Sequence, residues 1–263
     1  MDGWQHIVPT LALTMLRPLG MLALMPMFSA RALGGGLIRN ALVLVMALPA
    51  LPMQLGHAAE LAGRLGELSV PSLAVLVMQE FVIGLVMGFC ATIPFWAIDM
   101  ASTVIDTVRG TSMASVLNPM LEEQSSVFGV LFTQVLAVLF LVGGGFNAML
   151  TALYASYQSM PMLGGWHLSA SFPGFIAHQW QMMMELCIGF ALPALVVMVL
   201  IDAALGLVNR SAQQLNVFFV AMPIKSALAL FVLAIGMSYA LGAFQQRFDA
   251  FGGVVANLLG TMR

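Results

Sequence analysis

The chain has 263 residues, 61% of them hydrophobic and only 8% charged, with a formal net charge of −2 and a mean hydropathy of +0.99. Soluble domains carry roughly 25% charged residues, so this composition belongs to an integral membrane protein, and every polar residue in it has to be read against lipid. Nine Lys and Arg against eleven Asp and Glu, with no basic cluster interleaved with aromatics, argue against a nucleic-acid partner.

The predicted fold is an all-α membrane protein, a single integral membrane domain over residues 1–263. Apolar stretches run near residues 7–29, 37–56, 70–98, 125–150, 181–208 and 214–245. A span needs ~20 residues, so six helical segments are expected. The longer ones leave room for tilt or for a break into half-helices at Pro26, Pro49, Pro52, Pro94, Pro193 or Pro223.

The first stretch ends in Ser29-Ala30-Arg31-Ala32, like a cleaved export signal, but Asp2 is the only charge before Arg17, and Arg17 interrupts the apolar run. A retained first membrane helix is expected. The third stretch carries Glu80, with Gly84 and Gly88 four and eight residues on, a small-residue stripe suited to close helix packing.

Residues 99–124 hold five charges and the Asn118-Pro119 break, which predicts the main polar connection. Residues 151–180 contain no Asp, Glu, Lys or Arg, yet include Tyr154, Tyr157, Trp166, Phe172, Phe175 and Trp180. An uncharged aromatic loop at a headgroup interface, or against another subunit, is expected there.

The fifth stretch carries Glu185 and Asp202, and Glu185-Leu-Cys-Ile188-Gly189 repeats the Glu-x-x-Ile-Gly pattern of Glu80 to Gly84. Gly189 is therefore a further packing candidate. A short connection from Arg210 to Gln213 should fold the last two stretches into an antiparallel hairpin. Counted from that connection, Asp202 and Lys225, the only lysine, differ in height by roughly 7 Å at ~1.5 Å per residue. A direct pair between them is not expected, and Lys225 is assigned a partner on another helix, another subunit or water.

Arg17, Glu80, Glu185, Asp202 and Lys225 are charges inside apolar stretches, each costing at least ~2.5 kcal/mol at a bilayer centre unless paired or hydrated. Buried pairs, a polar pathway and an inter-subunit junction all meet that requirement. Positive residues divide four to three between alternate loops, too even to orient the chain. Either partner subunits set orientation or some segments do not cross lipid independently.

Catalytic chemistry needs convergent groups. His6, His57, His167 and His178 are scattered, Glu122-Glu123 sits beside a turn, and neither glycine run (34–36, 143–145) has the Lys and Ser/Thr of a phosphate-binding loop. Cys90 and Cys187 stand alone in apolar runs, as packing residues do, and lack the spacing of zinc or iron–sulfur ligands. A non-enzyme without cofactor or metal is expected. Most of the 22 methionines are assigned to irregular helix contacts.

Three stretches carry a resemblance: "NRSAQQLNVFFVAMPIKS", "IDTVRGTSMASVLNPMLEEQSSVFGVLFTQ" and the N-terminal "RPLGMLALMPMFSAR". Together they resemble the FliR/HrcT/SpaR family, T-type subunits of the bacterial type III protein export apparatus, from about residue 15 to about residue 245. Gln213-Gln214-Leu215-Asn216 departs from the Pro-Gln-Leu-Asn common in flagellar members, which favours the injectisome branch. The resemblance implies a subunit of a helically wound export gate in the bacterial inner membrane, displaced toward the periplasm. It implies R-type and S-type partner subunits, a nearby U-type switch protein, and unfolded secreted proteins in transit. On this reading Asn209, Arg210, Gln213, Gln214, Asn216, Pro223 and Lys225 form a gate or subunit junction. The alternative is an ion-coupled secondary transporter using Glu80, Glu185 and Asp202.

Overall fold

A computed structural model describes residues 3–30, 32–55, 63, 69–110, 126–162, 169–211 and 217–262. Lipid offers no partner to a bare peptide group, so long apolar segments close their backbone hydrogen bonds internally. Among the described residues the chain is accordingly helical with no strand. The helices are α1 (Gly3–Thr14), α2 (Leu16–Leu24), α3 (Gly36–Ala47), α4 (Leu51–Leu55), α5 (Val70–Arg109), α6 (Val127–Val142), α7 (Gly145–Ser159), α8 (Phe172–Ser211), α9 (Val217–Asp249) and α10 (Phe251–Thr261).

By length and composition, Ile7–Leu24, Gly36–Gln54, Val70–Arg109, Phe172–Ser211 and Val220–Asp249 are able to cross a membrane, and α6 with α7 make a sixth if that bent pair is one span. These are the six stretches expected from sequence. Main-chain bonds from Met15 to Leu11 and from Leu19 to Met15, both 3.0 Å, carry the ladder from α1 into α2.

The prolines divide by position. Pro26 opens a 3-10 turn after α2, and Pro49 lies in another between α3 and α4. Pro94, Pro193 and Pro223 sit inside continuous helices, where the loss of one hydrogen bond leaves the turns on either side intact.

Two segments expected to be connections are partly helical. Residues 99–109 extend α5, and within it Ser102, Thr103 and Thr107 each donate their hydroxyl to the carbonyl four residues back, at 2.6, 2.9 and 2.7 Å. Polar side chains satisfied in this way do not unwind a helix. Residue 110 closes it: Gly110 has φ +96° and donates to the Asp106 and Thr107 carbonyls at 3.2 and 3.1 Å. The rest of that polar segment, 111–125, lies outside the described residues.

Similarly, Tyr154 and Tyr157 belong to α7, and Phe172, Phe175 and Trp180 to α8. Trp166 falls in 163–168, outside the described residues. The break between α6 and α7 centres on Gly144, whose φ of +83° is a left-handed conformation that other residues adopt only with strain.

The single domain expected over the chain is organised as two compact units. The first comprises Met1–Ile93, Leu141–Gln179 and Arg247–Arg263; the second comprises Pro94–Phe140 and Trp180–Gln246. In the first, α2 and α5 meet backbone to backbone. A Cβ on Gly84 would lie 2.7 Å from Arg17 Cα, one on Gly88 2.8 Å from Met21 Cα, and one on Gly20 2.8 Å from the Leu85 nitrogen. Met21, Leu22, Ile83 and Met87 fill the space around this contact. Elsewhere in the unit α7 packs on α10, and the Ser169 amide donates to the Thr261 carbonyl at 2.9 Å.

Aromatic contacts run through the second unit. Phe132 and Phe190 lie 5.2 Å apart, Phe190 and Phe244 6.2 Å, and Phe95 and Phe140 5.7 Å, each pair edge to face. Such pairs add ~0.5–1.5 kcal/mol beyond burial, a directional term in a chain otherwise packed by dispersion.

Because the Gly84 contact is to main chain, Gly84→Ala is expected to destabilise the protein by ~1–3 kcal/mol. Gly189→Ala, whose added methyl meets nothing within 4 Å, should leave stability unchanged or slightly raised. Equilibrium unfolding in mixed detergent micelles measures both.

Candidate functional site

Four of the five charges inside apolar stretches are joined as two ion pairs, one in each compact unit. In the first unit Arg17 is wholly buried, and so is Glu80. Arg17 Nε donates to Glu80 Oε2 at 2.6 Å and Nη2 to Glu80 Oε1 at 3.1 Å, a two-point contact between α2 and α5. The remaining donors turn to the end of α7: Nη1 reaches Ser156 Oγ at 3.1 Å, and Nη2 reaches the Met160 carbonyl at 2.6 Å.

The guanidinium carbon stands 4.5 Å from the centre of the Tyr157 ring, whose hydroxyl donates to the Thr14 carbonyl at 2.6 Å. The Ser156 hydroxyl donates to the Leu153 carbonyl at 2.6 Å. The guanidinium thus has a counter-charge in Glu80 and further acceptors in Ser156 and the Met160 carbonyl.

The second unit gathers the C-terminal end of α5. The last carbonyls of a helix have no partner within it and carry partial negative charge. Lys225 on α9 donates to one of them, the Val108 carbonyl, at 3.3 Å, and forms an ion pair with Asp202 on α8 at 2.6 Å. This direct pair is a correction to the sequence expectation. Asp202 lies nine residues before the end of α8 at Ser211, and Lys225 eight residues after the start of α9 at Val217. The 2.6 Å contact brings the two side chains to one level, which the count of residues from a turn at 210–213 did not allow for. Lys225 also has the inter-helix partner that the sequence suggested. Met222, one turn before it, packs its Cε 3.2 Å from where a Gly110 Cβ would stand.

Beside Val108, Asp106 joins two helices. Its Oδ1 accepts from Arg109 Nη2 at 2.6 Å, while Oδ2 accepts from Ser126 Oγ at 2.6 Å and from the Phe128 amide at 3.3 Å. Ser126 in turn accepts from the Gly129 amide at 2.8 Å. A carboxylate and a serine thus cap the N-terminus of α6, where free amides and the helix dipole favour negative charge. Arg109 lies over the Phe128 ring at 4.2 Å.

Glu185 is exposed on α8 and accepts from Gln181 Nε2 at 2.8 Å; Gly189, one turn on, is open to space. The two copies of the Glu-x-x-Ile-Gly pattern therefore have unlike surroundings. Asn209 and Arg210 are exposed in the last turn of α8, and Pro223 lies in the second turn of α9. Gln213, Gln214 and Asn216 fall outside the described residues. Asp99 is exposed in a polar recess with Thr103, Ser126, Thr133 and Gln134.

Sequence reading missed Asp106, Arg109, Ser156 and Tyr157. For the first two the signal was present, an acid and a base one turn apart followed by a helix-capping serine. Ser156 and Tyr157 carried none, since their stretch read as an uncharged loop. Among the described residues no three His, Cys, Asp or Glu side chains converge on a possible metal. The arrangement holds helices in register through ion pairs and caps.

The family model described as bacterial export proteins, family 1, matches residues 8–251. Over 241 residues, 92% of each chain, the sequence is 42% identical to the secretion system apparatus protein SsaT of Salmonella typhimurium. Over 230 residues, 86% of each, it is 37% identical to the Yop proteins translocation protein T of Yersinia pestis. Against the flagellar biosynthetic protein FliR of Bacillus subtilis the identity is 30% over 191 residues, 70% of this chain and 72% of the other. The flagellar relative is the more distant of the three, which agrees with the injectisome assignment.

Removing one partner of a buried ion pair costs ~3–5 kcal/mol, whereas replacing both by apolar residues costs far less. Arg17→Met and Glu80→Leu are each expected to fall in that range. The double variant should lose markedly less than their sum, as read by a double-mutant cycle on unfolding midpoints in detergent.

Proposed function

The chain belongs to the family of bacterial export proteins, family 1, and from that membership we propose that it is a non-enzymatic subunit of a type III secretion export gate. It helps to form the inner-membrane channel through which unfolded proteins leave the cell. Its partners on this reading are R-type and S-type gate subunits and a U-type switch protein, with part of the assembly raised toward the periplasm. The observation that carries the proposal is the breadth of the family match, residues 8–251, together with 42% identity to a secretion apparatus protein over 92% of both chains.

Physical features support the reading. Ile188, Leu192, Val196 and Val199 on α8, and Phe231 and Ile235 on α9, are large apolar side chains exposed on the isolated chain. Such faces suit neighbouring helices as well as lipid. The 40 residues of α8 correspond to ~60 Å at ~1.5 Å per residue, about twice a bilayer's hydrocarbon core. A helix of that length is at home in a tall assembly.

The transporter reading is not favoured. The family match and the relatives are to export and secretion proteins, and of the three acids that reading would use, Glu80 has both oxygens on Arg17 and Asp202 is paired with Lys225, which leaves Glu185 as the one without a cationic partner among the described residues.

Two experiments test the proposal. Purified in mild detergent from its native membrane, the protein should bring several small membrane proteins with it, and reconstituted alone it should move no solute. Purification as a lone chain with solute transport would overturn the assignment. In the junction, Lys225→Ala is expected to reduce secretion by about tenfold or more, the effect of roughly 1.4 kcal/mol on an assembly equilibrium. Asn216→Ala tests the same polar stretch in that assay. Normal assembly and secretion in both variants would count against a role for this stretch.

A further inference from the structure

Between α8 and α9 in the second unit lies an apolar cavity of about 300 Å³. Its lining includes the buried Phe190 and Phe244, two glycines, Gly189 and Gly236, and the exposed Glu185 and Tyr239. A methyl group added to either glycine would meet nothing within 4 Å, so the backbone there is open to close approach. Of the five charges inside apolar stretches, Glu185 is the one whose described partner, Gln181, is neutral.

The first compact unit holds the same pattern in an occupied form. At Glu80-Phe-Val-Ile83-Gly84, α2 rests its main chain on Gly84 while Arg17, the residue at that contact, reaches both Glu80 oxygens. Glycine admits the neighbouring backbone, and the carboxylate one turn before it takes that helix's guanidinium. Glu185-Leu-Cys-Ile188-Gly189 presents the same acid and glycine at the same spacing, facing outward beside an apolar recess.

We propose that this groove receives an apolar helix of a different membrane protein, and that an arginine of that helix pairs with Glu185 while its backbone passes over Gly189. A small, close-packing helix contact and a desolvated acid–guanidinium pair reinforce each other, because excluding water strengthens the pair. The identity of the assembly that supplies the helix rests on the function proposed above.

The test uses the full-length protein in its native membrane, with a photo-crosslinking residue in place of Tyr239 and, as a control, in place of Leu200 on α8. The Tyr239 probe should yield an adduct with a membrane protein whose crosslinked helix contains an arginine. Glu185→Gln should lower that yield by roughly tenfold or more. A charge exchange, Glu185→Arg with the partner's arginine changed to Glu, should restore it, which separates loss of the pair from loss of the fold. Adducts with lipid alone, with a second copy of this chain, or with a partner in amounts that Glu185→Gln does not alter would each overturn the proposal. If other export proteins still co-purify in those cases, only this inference falls. If nothing co-purifies with the wild-type protein, the functional reading falls with it.

Discussion

A permanently charged guanidinium in an apolar interior sets the terms for the first half of the fold. Arg17 carries a charge and a fork of N–H donors into a site with no exposure to water, so a counter-charge and several acceptors have to be brought to it. Glu80 supplies the charge, and Ser156 and the Met160 carbonyl supply acceptors. These requirements draw together α2, α5 and the end of α7. They also explain why glycine stands at positions 20, 84 and 88: a two-point contact of 2.6 and 3.1 Å between side chains on adjacent helices goes with backbones that nearly touch. The aromatic face of Tyr157 completes the enclosure without contributing a second negative charge.

In the second unit the organising problem is helix ends rather than a buried side chain. The closing carbonyls of α5 and the opening amides of α6 both need partners. Lys225 meets the first need and Asp106 the second, and each is itself neutralised, by Asp202 and by Arg109. Two stretches that carry the family resemblance are in direct contact here, Val108 and Gly110 from one with Met222 and Lys225 from the other. In this unit, polar side chains that looked out of place within an apolar sequence converge on the end of α5 and the start of α6.

Much of this was legible beforehand. Apolar run length located the six long apolar segments, since the hydrocarbon thickness fixes how many residues a crossing takes. The cost of lone charges in lipid singled out Arg17, Glu80, Asp202 and Lys225, but not who pairs with whom, because pairing depends on helix register. Asp202 and Lys225 pair directly although a residue count from an assumed turn set them about 7 Å apart, since counting along the chain does not fix how two helices are matched in height. Helix limits were also misjudged at 99–109 and around Tyr154 and Tyr157. In one case hydroxyls satisfied by their own backbone mimic loop polarity; in the other, helical aromatics, Tyr157 buried among them, mimic an interfacial belt. Arg17 to Tyr157 is a contact between distant parts of the chain, and nothing local in the sequence encodes it.

The Arg17 centre also implies an order of events during synthesis. Glu80 follows Arg17 by 63 residues, whereas Ser156 and Met160 follow by 139 and 143. A chain made from its N-terminus delivers α2 to the membrane with an unanswered positive charge. It gains its counter-charge when α5 arrives, and its last two acceptors only after α7 has emerged. Until that moment the nascent protein holds an incompletely solvated guanidinium, which water, lipid headgroups or an insertion factor must shelter. In synthesis order, therefore, the counter-charge of Arg17 precedes its last two acceptors.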